Sequence, residues 1–483
     1  VTLLPFEWPA GEGPVHLRLA GALRAAITNG RLPPGARLPA SRILAVDLQV
    51  SRWVVTEAYE QLKAEGYLAA RTGSGTTVAA THRGVPDPPP GPTVHRPPAT
   101  ATLVDLAPNL PDLRAFPRSL WRSALTHALD TLSTRELGYP DPLGDPELRR
   151  VLADYVRRVR GVPALPSDVV ITNGTTGSIG LLFRALAATG GTRVALEDPG
   201  WPQLRAAAGG ARLTAVPVPV DERGLRAALL AGLDVDSVCV TPSHQFPTGV
   251  VLAPERREQV LEWAARGGLL IEDDYDAEFR YGRRPVDALA SIDAENVVYL
   301  GSVSKTLAPA LQIGWMVLRG RHRAAAEPFL RDHRTGPPII DQRALAWLIA
   351  SGGYDRQLRR MRRSYQARRT ELRARLAEAA PGAHITGPDA GLHVLLELGA
   401  IDEQTFMAAL ARRGLAATAL DECRIRRTGP SGVLIGYGNL PVAGMRGVAT
   451  AVGAAVAEAA GRPRTPAPSP DRDQPARPSA HRR

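Results

Sequence analysis

The stretch Tyr299 to Val317 reads YLGSVSKTLAPALQIGWMV and sets one lysine, Lys305, among Ser302, Ser304 and Thr306 in a small-residue turn between two apolar runs. Lys63 and Lys305 are the only lysines; the other 57 of the 59 basic residues are arginine. A guanidinium keeps its proton, whereas an ammonium can lose it and attack an aldehyde to form a Schiff base. In a chain that otherwise avoids lysine, Lys305 is a candidate for that chemistry. The competing reading is a solvated charge on a loop.

Four upstream segments gain a purpose if Lys305 holds an aldehyde. VVITNGTTGSIGLL (169–182) reads as a strand, a Gly-Thr-Thr turn and a helix start. There the amides of Gly174, Thr175 and Thr176 would face an anion favoured by the helix dipole. The same turn resembles that of nicotinamide dehydrogenases, with Glu197 and Asp198 spaced for a ribose. LEDPGWP (196–202) presents Trp201 beyond a strand end, either as core or as a ring to stack on a planar cofactor. VTPSHQFPTG (240–249) offers His244 and its polar neighbours to a phenolate-like oxygen; a metal role for His244 lacks a second ligand at the usual spacing. LLIEDDYDAEF (269–279) sets three acids in a row on an apolar strand, where they repel unless a cation meets one of them. Asp273 and Tyr275 share a face, so the carboxylate can reach a ring nitrogen and the phenol a ring hydroxyl. A carboxylate there keeps a pyridine protonated, which makes pyridoxal phosphate an electron sink.

The elements that must position these groups read as α/β from Leu106 onward. Helical stretches (Trp121–Asp130, Pro146–Arg160) alternate with β-rich runs at 169–173, 193–197, 237–241, 268–274, 297–302 and 313–318. That order predicts a mostly parallel sheet with reactive groups at the strands' carboxyl ends. Long arginine-rich helices follow from about residue 331, and β-like runs at 392–398 and 433–437 predict a smaller C-terminal α+β lobe over 331–460. Residues 81–103 form a stiff Pro-rich linker, and 461–483 a disordered basic tail.

Ahead of the linker, residues 12–80 read as a winged helix-turn-helix. A helix at 16–29 carries Leu17, Leu19, Leu23 and Ile27, and Asn29-Gly30 stops it. A short helix at 41–48 and a turn lead to a helix at 51–65, N-capped by Ser51 and buried through Val55, Ala58, Tyr59 and Leu62. Residues 66–79 supply the wing. Such a unit places the start of its second helix in the major groove. The alternative is a small protein-interaction module.

At 483 residues, with 44% hydrophobic and 22% charged residues, the chain has the make-up of a multidomain cytoplasmic protein. No apolar run is of membrane-spanning length. Cys239 and Cys423 have no metal-ligand spacing and read as buried thiols. The formal charge of +11 does not mark a DNA face, because residues 1–80 hold eight basic against six acidic side chains.

PPGARLPASR, VSR and AYEQLKAEGYL followed by a glycine-bearing wing resemble the GntR family of bacterial regulators. That resemblance implies DNA contacts at Arg42, Ser51, Arg52, Trp53, Thr56 and Gly73. EDPGWP, TPSHQFPTG, IEDDYDAEFRY and GSVSKTLAP resemble the fold type I pyridoxal-phosphate aminotransferases and, behind a GntR headpiece, the MocR subfamily of regulators. The resemblance implies a head-to-tail homodimer that binds pyridoxal 5′-phosphate. Lys305 would be its Schiff-base lysine, Asp273 the pyridine-nitrogen partner, Tyr275 and His244 near the ring oxygen, and Trp201 the stacking ring. Gly174, Thr175, Thr176 and Ser302 would hold the phosphate, with Tyr139 of the partner subunit reaching in. Two departures stand out: Gln312 replaces a phosphate-neutralising arginine, and GPSGVLIGYG lacks the arginine that clamps a substrate carboxylate. The expected function is a DNA-binding regulator that senses pyridoxal phosphate or an amino compound. The alternative is an active aminotransferase carrying a DNA-binding module.

Overall fold

The structure is a computed structural model that describes residues 13–71, 75–79, 104–281, 286–333 and 336–461. The linker, Gly73 at the wing tip and the tail beyond Gly461 lie outside the described residues. The chain divides into two compact units, residues 1–99 and 100–483.

In the first unit, α1 (Val15–Thr28), α2 (Ser41–Asp47) and α3 (Arg52–Ala64) precede an antiparallel pair, β1 (Leu68–Arg71) and β2 (Gly75–Val78). Ser51 caps α3, its hydroxyl accepting the Val54 amide at 3.4 Å. Val55, Ala58, Tyr59 and Leu62, at helical spacing, bury one face of α3 in a core with Leu19, Leu23 and Leu44. The Tyr59 hydroxyl satisfies itself on the Pro39 carbonyl at 3.0 Å. Leu17 departs from the expected stripe and is 47% exposed. The buried face of α1 runs Leu19, Ala20, Leu23, Ala26 and Ile27, and Leu17 stands about 200° round the helix from Leu19.

The second unit opens with β3 (Val104–Asp105), α4 (Arg118–Thr131) and α5 (Pro146–Arg160). Asp145 caps α5 through the Leu148 amide at 2.8 Å, and Gly161, at φ +70°, ends it. A sheet of eight strands follows: β4 (Val169–Thr172), β5 (Arg193–Asp198), β6 (Thr214–Asp221), β7 (Gly224–Leu225), β8 (Ser237–Val240), β9 (Leu269–Asp273), β10 (Val297–Ser302) and β11 (Gly314–Val317). Their order is β4-β11-β10-β9-β8-β5-β6-β7. Neighbours from β10 through β6 are parallel, while β11 is antiparallel to both β10 and β4. All six β-rich runs read from the sequence are strands of this sheet. The two unanticipated ones are the short β7 and β6, whose Pro217 and Pro219 speak against a strand. They are tolerated because β6 lies next to the edge, where the short β7 pairs only with Val220 and Asp221.

Adjacent residues of these strands point into two cores. Ile171, Leu270, Val297 and Trp315 join α4 and α5 on one face. Val170, Ile271, Val298 and Met316 join α6 (Gly174–Ala188) on the other. A second sheet, of strands His384–Thr386, His393–Gly399, Thr418–Ala419 and Ser431–Gly436, forms the smaller lobe. The lobe begins later than residue 331. The helix Ile339–Ala350 buries Ala344, Leu345, Ala346 and Leu348 in the core of the large sheet. The changeover comes within the long helix Gly353–Ala379, where Tyr354 belongs to the large core and Met361 to the small one. None of the described helices is long and apolar enough to cross a membrane.

Two glycines let α6 come down onto the sheet beside β11. A Cβ on Gly314 would stand 2.6 Å from the Gly174 Cα, closer than atoms tolerate. Gly314→Ala is therefore expected to displace the start of α6 and destabilise the unit by about 1–3 kcal/mol. Thermal unfolding checks this, and an unchanged midpoint would show that the contact is not tight.

Candidate functional site

β9 sorts its three acids by strand alternation and gives each a different environment. The Glu272 carboxylate accepts the amides of Leu289 and Ala290 at 2.8 and 2.9 Å. Asp274, just past the strand, meets the buried Arg160 guanidinium at 2.6 and 3.1 Å and the Tyr299 hydroxyl at 2.8 Å. Burial alone would lower the Arg160 pKa, and Asp274 more than offsets it. The cation that the sequence demanded is thus Arg160, from the end of α5. Asp273 points the other way, into a cavity of about 1180 Å³ shared with Lys305.

Asp273 Oδ1 is buried and has no hydrogen-bond partner. Burial, with Asp274 adding to it, pushes its carboxyl up to about 8, while Lys305 pulls the other way. Burial also lowers the Lys305 pKa, opposed by Asp276 and Asp273. A carboxyl pushed toward its protonated form and an amine eased toward its free base face one space.

The floor of that space is the strand-to-helix turn of β4 and α6 and the turn after β10. Gly174, at φ +71°, begins α6, and no side chain caps the helix. Its first-turn amides are left for a ligand. The Ser302 hydroxyl donates to Ser304 Oγ at 2.6 Å and accepts the Ser304 amide at 2.9 Å. Thr175, Thr176, Trp201 and Gln312 also line the cavity. Gln312 sits in the left-handed region at φ +50°.

Tyr275 lines the cavity, but His244 does not. His244 Nδ1 lies 3.0 Å from the Tyr275 hydroxyl and 2.8 Å from Asp276 Oδ2, behind the phenol. Gly391 makes that slot possible, since a Cβ there would stand 2.2 Å from the imidazole. The cavity face expected of His244 is taken by Phe246, whose ring meets Tyr275 edge-on at 6.4 Å. Tyr139 is 94% exposed and outside this chain's own cavity.

The nicotinamide alternative loses its ribose acid. Glu197 is buried against the Thr241 hydroxyl and amide at 2.5 and 3.3 Å. The Asp198 carboxylate accepts the amides of Ile425 and Arg426 at 2.8 and 3.0 Å. This last contact, with the Gly200 amide on the Cys423 carbonyl at 2.8 Å, docks the small lobe's 420–427 segment against the cavity mouth. Sequence reading missed that role of Asp198, and nothing local signals it. The segment brings Arg427 into the cavity wall, where it had not been expected. Arg424, also in the wall, is tied to Asp421 at 3.0 Å. Cys239 and Cys423 are both free and buried.

In the first unit, Arg42, Ser51, Arg52, Trp53 and Thr56 are all exposed. Trp53 is 62% exposed, its ring edge-on to His16 at 5.3 Å. No described carboxylate pairs with Arg42 or Arg52. A helix start with free cations beside a two-stranded wing suits a phosphate backbone and a groove.

Fold and site together define a regulator with a winged helix-turn-helix headpiece and an aminotransferase-fold unit. The model of aminotransferase class I and II matches residues 102–445, and that of the bacterial regulatory proteins of the gntR family matches residues 16–78. The HTH-type pyridoxine biosynthesis transcriptional regulator PdxR of Corynebacterium glutamicum is 32% identical over 450 residues, 88% of this chain and 92% of that protein. The probable rhizopine catabolism regulatory protein MocR of Rhizobium meliloti is 32% identical over 455 residues, 90% and 92% of the two chains. Among solved structures, the kynurenine aminotransferase of Pyrococcus horikoshii superposes with a TM-score of 0.67 at 23% identity, covering 74% of this chain and 92% of that one. The chain belongs to the MocR subfamily of GntR-type transcriptional regulators, DNA-binding proteins with a fold type I aminotransferase domain.

The raised Asp273 pKa has a consequence for stability. Between the ordinary aspartate value of 3.8 and about 8 the folded chain keeps a proton that the unfolded chain has released. That contribution is whole below the lower value and is lost as pH climbs toward the upper one, by about 1.4 kcal/mol per pH unit. Urea unfolding of ligand-free protein from pH 5 to 7.5 should show Asp273→Asn with a slope shallower by about that amount. Equal slopes would mean that Asp273 is ionised throughout.

Proposed function

We propose that the aminotransferase-fold unit binds pyridoxal 5′-phosphate covalently through Lys305 and reports its presence, or that of an amino compound, to an operator bound by the headpiece. One observation carries this reading: a buried, unpartnered carboxylate oxygen on Asp273 opens on the same cavity as the one lysine of the unit. A buried acid without a partner is costly, and a protonated pyridine nitrogen would satisfy it. The residues present fit the group. Bound there, pyridoxal phosphate supplies an aldehyde to an amine and a pyridine ring able to withdraw electrons.

The chain's own groups have these roles. Lys305 Nζ, eased toward its neutral form by burial, is the nucleophile. Trp201 would serve as the stacking ring, and Tyr275, braced by His244 and Asp276, would be the partner of the ring hydroxyl. The amides of Gly174, Thr175 and Thr176 and the Ser304 hydroxyl, oriented by Ser302, would receive the phosphate. Tyr139, on an exposed segment, suits contribution to the cavity of a second copy in a head-to-tail homodimer. Arg42, Arg52, Trp53 and Thr56, with Ser51 and the wing at Gly73, contact the operator. The ligand shifts DNA binding only as far as it favours one arrangement of the headpieces over another.

A turnover aminotransferase is the second reading, and Arg427 in the cavity wall is the observation that favours it. Repeated conversion of an amino acid with an oxo-acid acceptor would establish it.

Two outcomes test the proposal. Wild-type protein with added pyridoxal phosphate should gain a visible absorbance band and, after borohydride, a permanent mass increment on the Lys305 peptide; Lys305→Ala should show neither. An increment elsewhere, or none, removes the sensor. Arg52→Ala should weaken binding to the chain's own upstream region and reduce the slope of log K against log salt by about 1. An unchanged slope would take Arg52 off the DNA.

A further inference from the structure

The proposed phosphate cup is built of neutral groups. It comprises the uncapped start of α6 from Gly174, the Ser302–Ser304 pair and Gln312. These belong together in space: a Cβ on Gly174 would lie 4.0 Å from Ser304 Oγ. The buried, unpartnered Asp273 oxygen opens on the same cavity. The cavity's arginines gather at the 420–427 segment: Arg424 and Arg427 belong to it, as do Asp421 and Glu422, and Arg205 donates to the Arg424 carbonyl at 2.7 Å. Apart from these arginines, Lys305 is the one cation lining the cavity among the described residues, and in the proposed reading its nitrogen is committed to the aldehyde carbon.

A phosphate monoester passes from monoanion to dianion with a pKa of about 6. Burying two charges costs far more than burying one, and neutral donors offset less of that cost than a guanidinium does. Gln312 differs from an arginine in a second respect. Its amide carbonyl accepts a hydrogen bond, which a guanidinium cannot, so it can receive the proton of a phosphate P–OH. Ser302 gives its own proton to Ser304, which leaves the Ser304 hydroxyl free to donate.

We infer that Gln312 makes this cup selective for the monoanion of a phosphate monoester, so that phosphate recognition strengthens as pH falls through 6. This rests on the pyridoxal-phosphate reading and adds a specificity-determining residue to it.

The test uses 4-deoxypyridoxine 5′-phosphate, which lacks the aldehyde and cannot react with Lys305, and its unphosphorylated counterpart. Their dissociation constants from full-length protein are measured by calorimetry at pH 7.5 and 5.5. The ratio of the two affinities cancels titration of the ring, Asp273 and Lys305, which both ligands share. A monoester with a pKa of about 6 is about 3% monoanion at pH 7.5 and about 75% at pH 5.5, so wild type should gain about 25-fold in the ratio. Gln312→Arg, at the same backbone angles, should bind the phosphate more tightly at pH 7.5 and lose or reverse that gain. A wild-type ratio that is flat, or larger at pH 7.5, overturns this inference and leaves the cofactor reading intact. No binding of either compound overturns both.

Discussion

The aminotransferase-fold unit depends on the pairing of Arg160 with Asp274. Three consecutive acids at the end of a buried strand cannot all ionise, and without a cation the strand end would carry mutual repulsion into the core. Arg160 reaches Asp274 from the end of α5, and Tyr299, Ser243 and the Val286 carbonyl complete the hydrogen bonding of the pair. Glu272 is absorbed by two backbone amides on the same side of the sheet. With its neighbours occupied, Asp273 is left facing the cavity with one oxygen unpartnered. The acid that faces the cavity is thus defined by the sequestering of the two that flank it.

The same economy of partners shapes the rest of the cavity. α6 starts without a side-chain cap, so its amides remain available at the floor. Tyr275 is held from behind by His244 and Asp276, which gives a phenol at the cavity surface a fixed direction. At the mouth, Asp198 spends its carboxylate on the backbone of the small lobe, and the lobe's 420–427 segment becomes a wall. A ligand between the lobes would act on a contact that joins these hydrogen bonds to an apolar cluster, in which Phe246 and Tyr275 meet Leu395, Leu420, Cys423 and Leu434.

The headpiece follows a different economy. Its three helices bury a compact apolar stripe and leave Arg42 on α2 and Arg52 at the start of α3 without a described acid to neutralise them. Arg24 and Glu65 tie α1 to the far end of α3, away from Arg52, Trp53 and Thr56 at its start. The exposed Trp53, steadied by His16, adds a bulky apolar group at a surface that otherwise carries charge and hydroxyls.

What the sequence alone determined is whatever local periodicity and chain order encode. The α3 stripe of Val55, Ala58, Tyr59 and Leu62, its Ser51 cap, the six strand runs of the sheet and the association of Lys305 with Asp273 were all legible, because each is written within one element or in motif order. Legibility failed where partners are distant in the chain. That Arg160 is the cation for Asp274, that Asp198 serves the small lobe rather than a ribose, that His244 sits behind Tyr275, and that the small lobe begins within the helix 353–379 were decided by tertiary packing. β6 was hidden for a related reason, since two prolines exclude a strand only if both of its edges are paired. Alternation along a strand says which residues share a face, but which neighbour meets that face, and with what charge, exists only once the sheet has assembled.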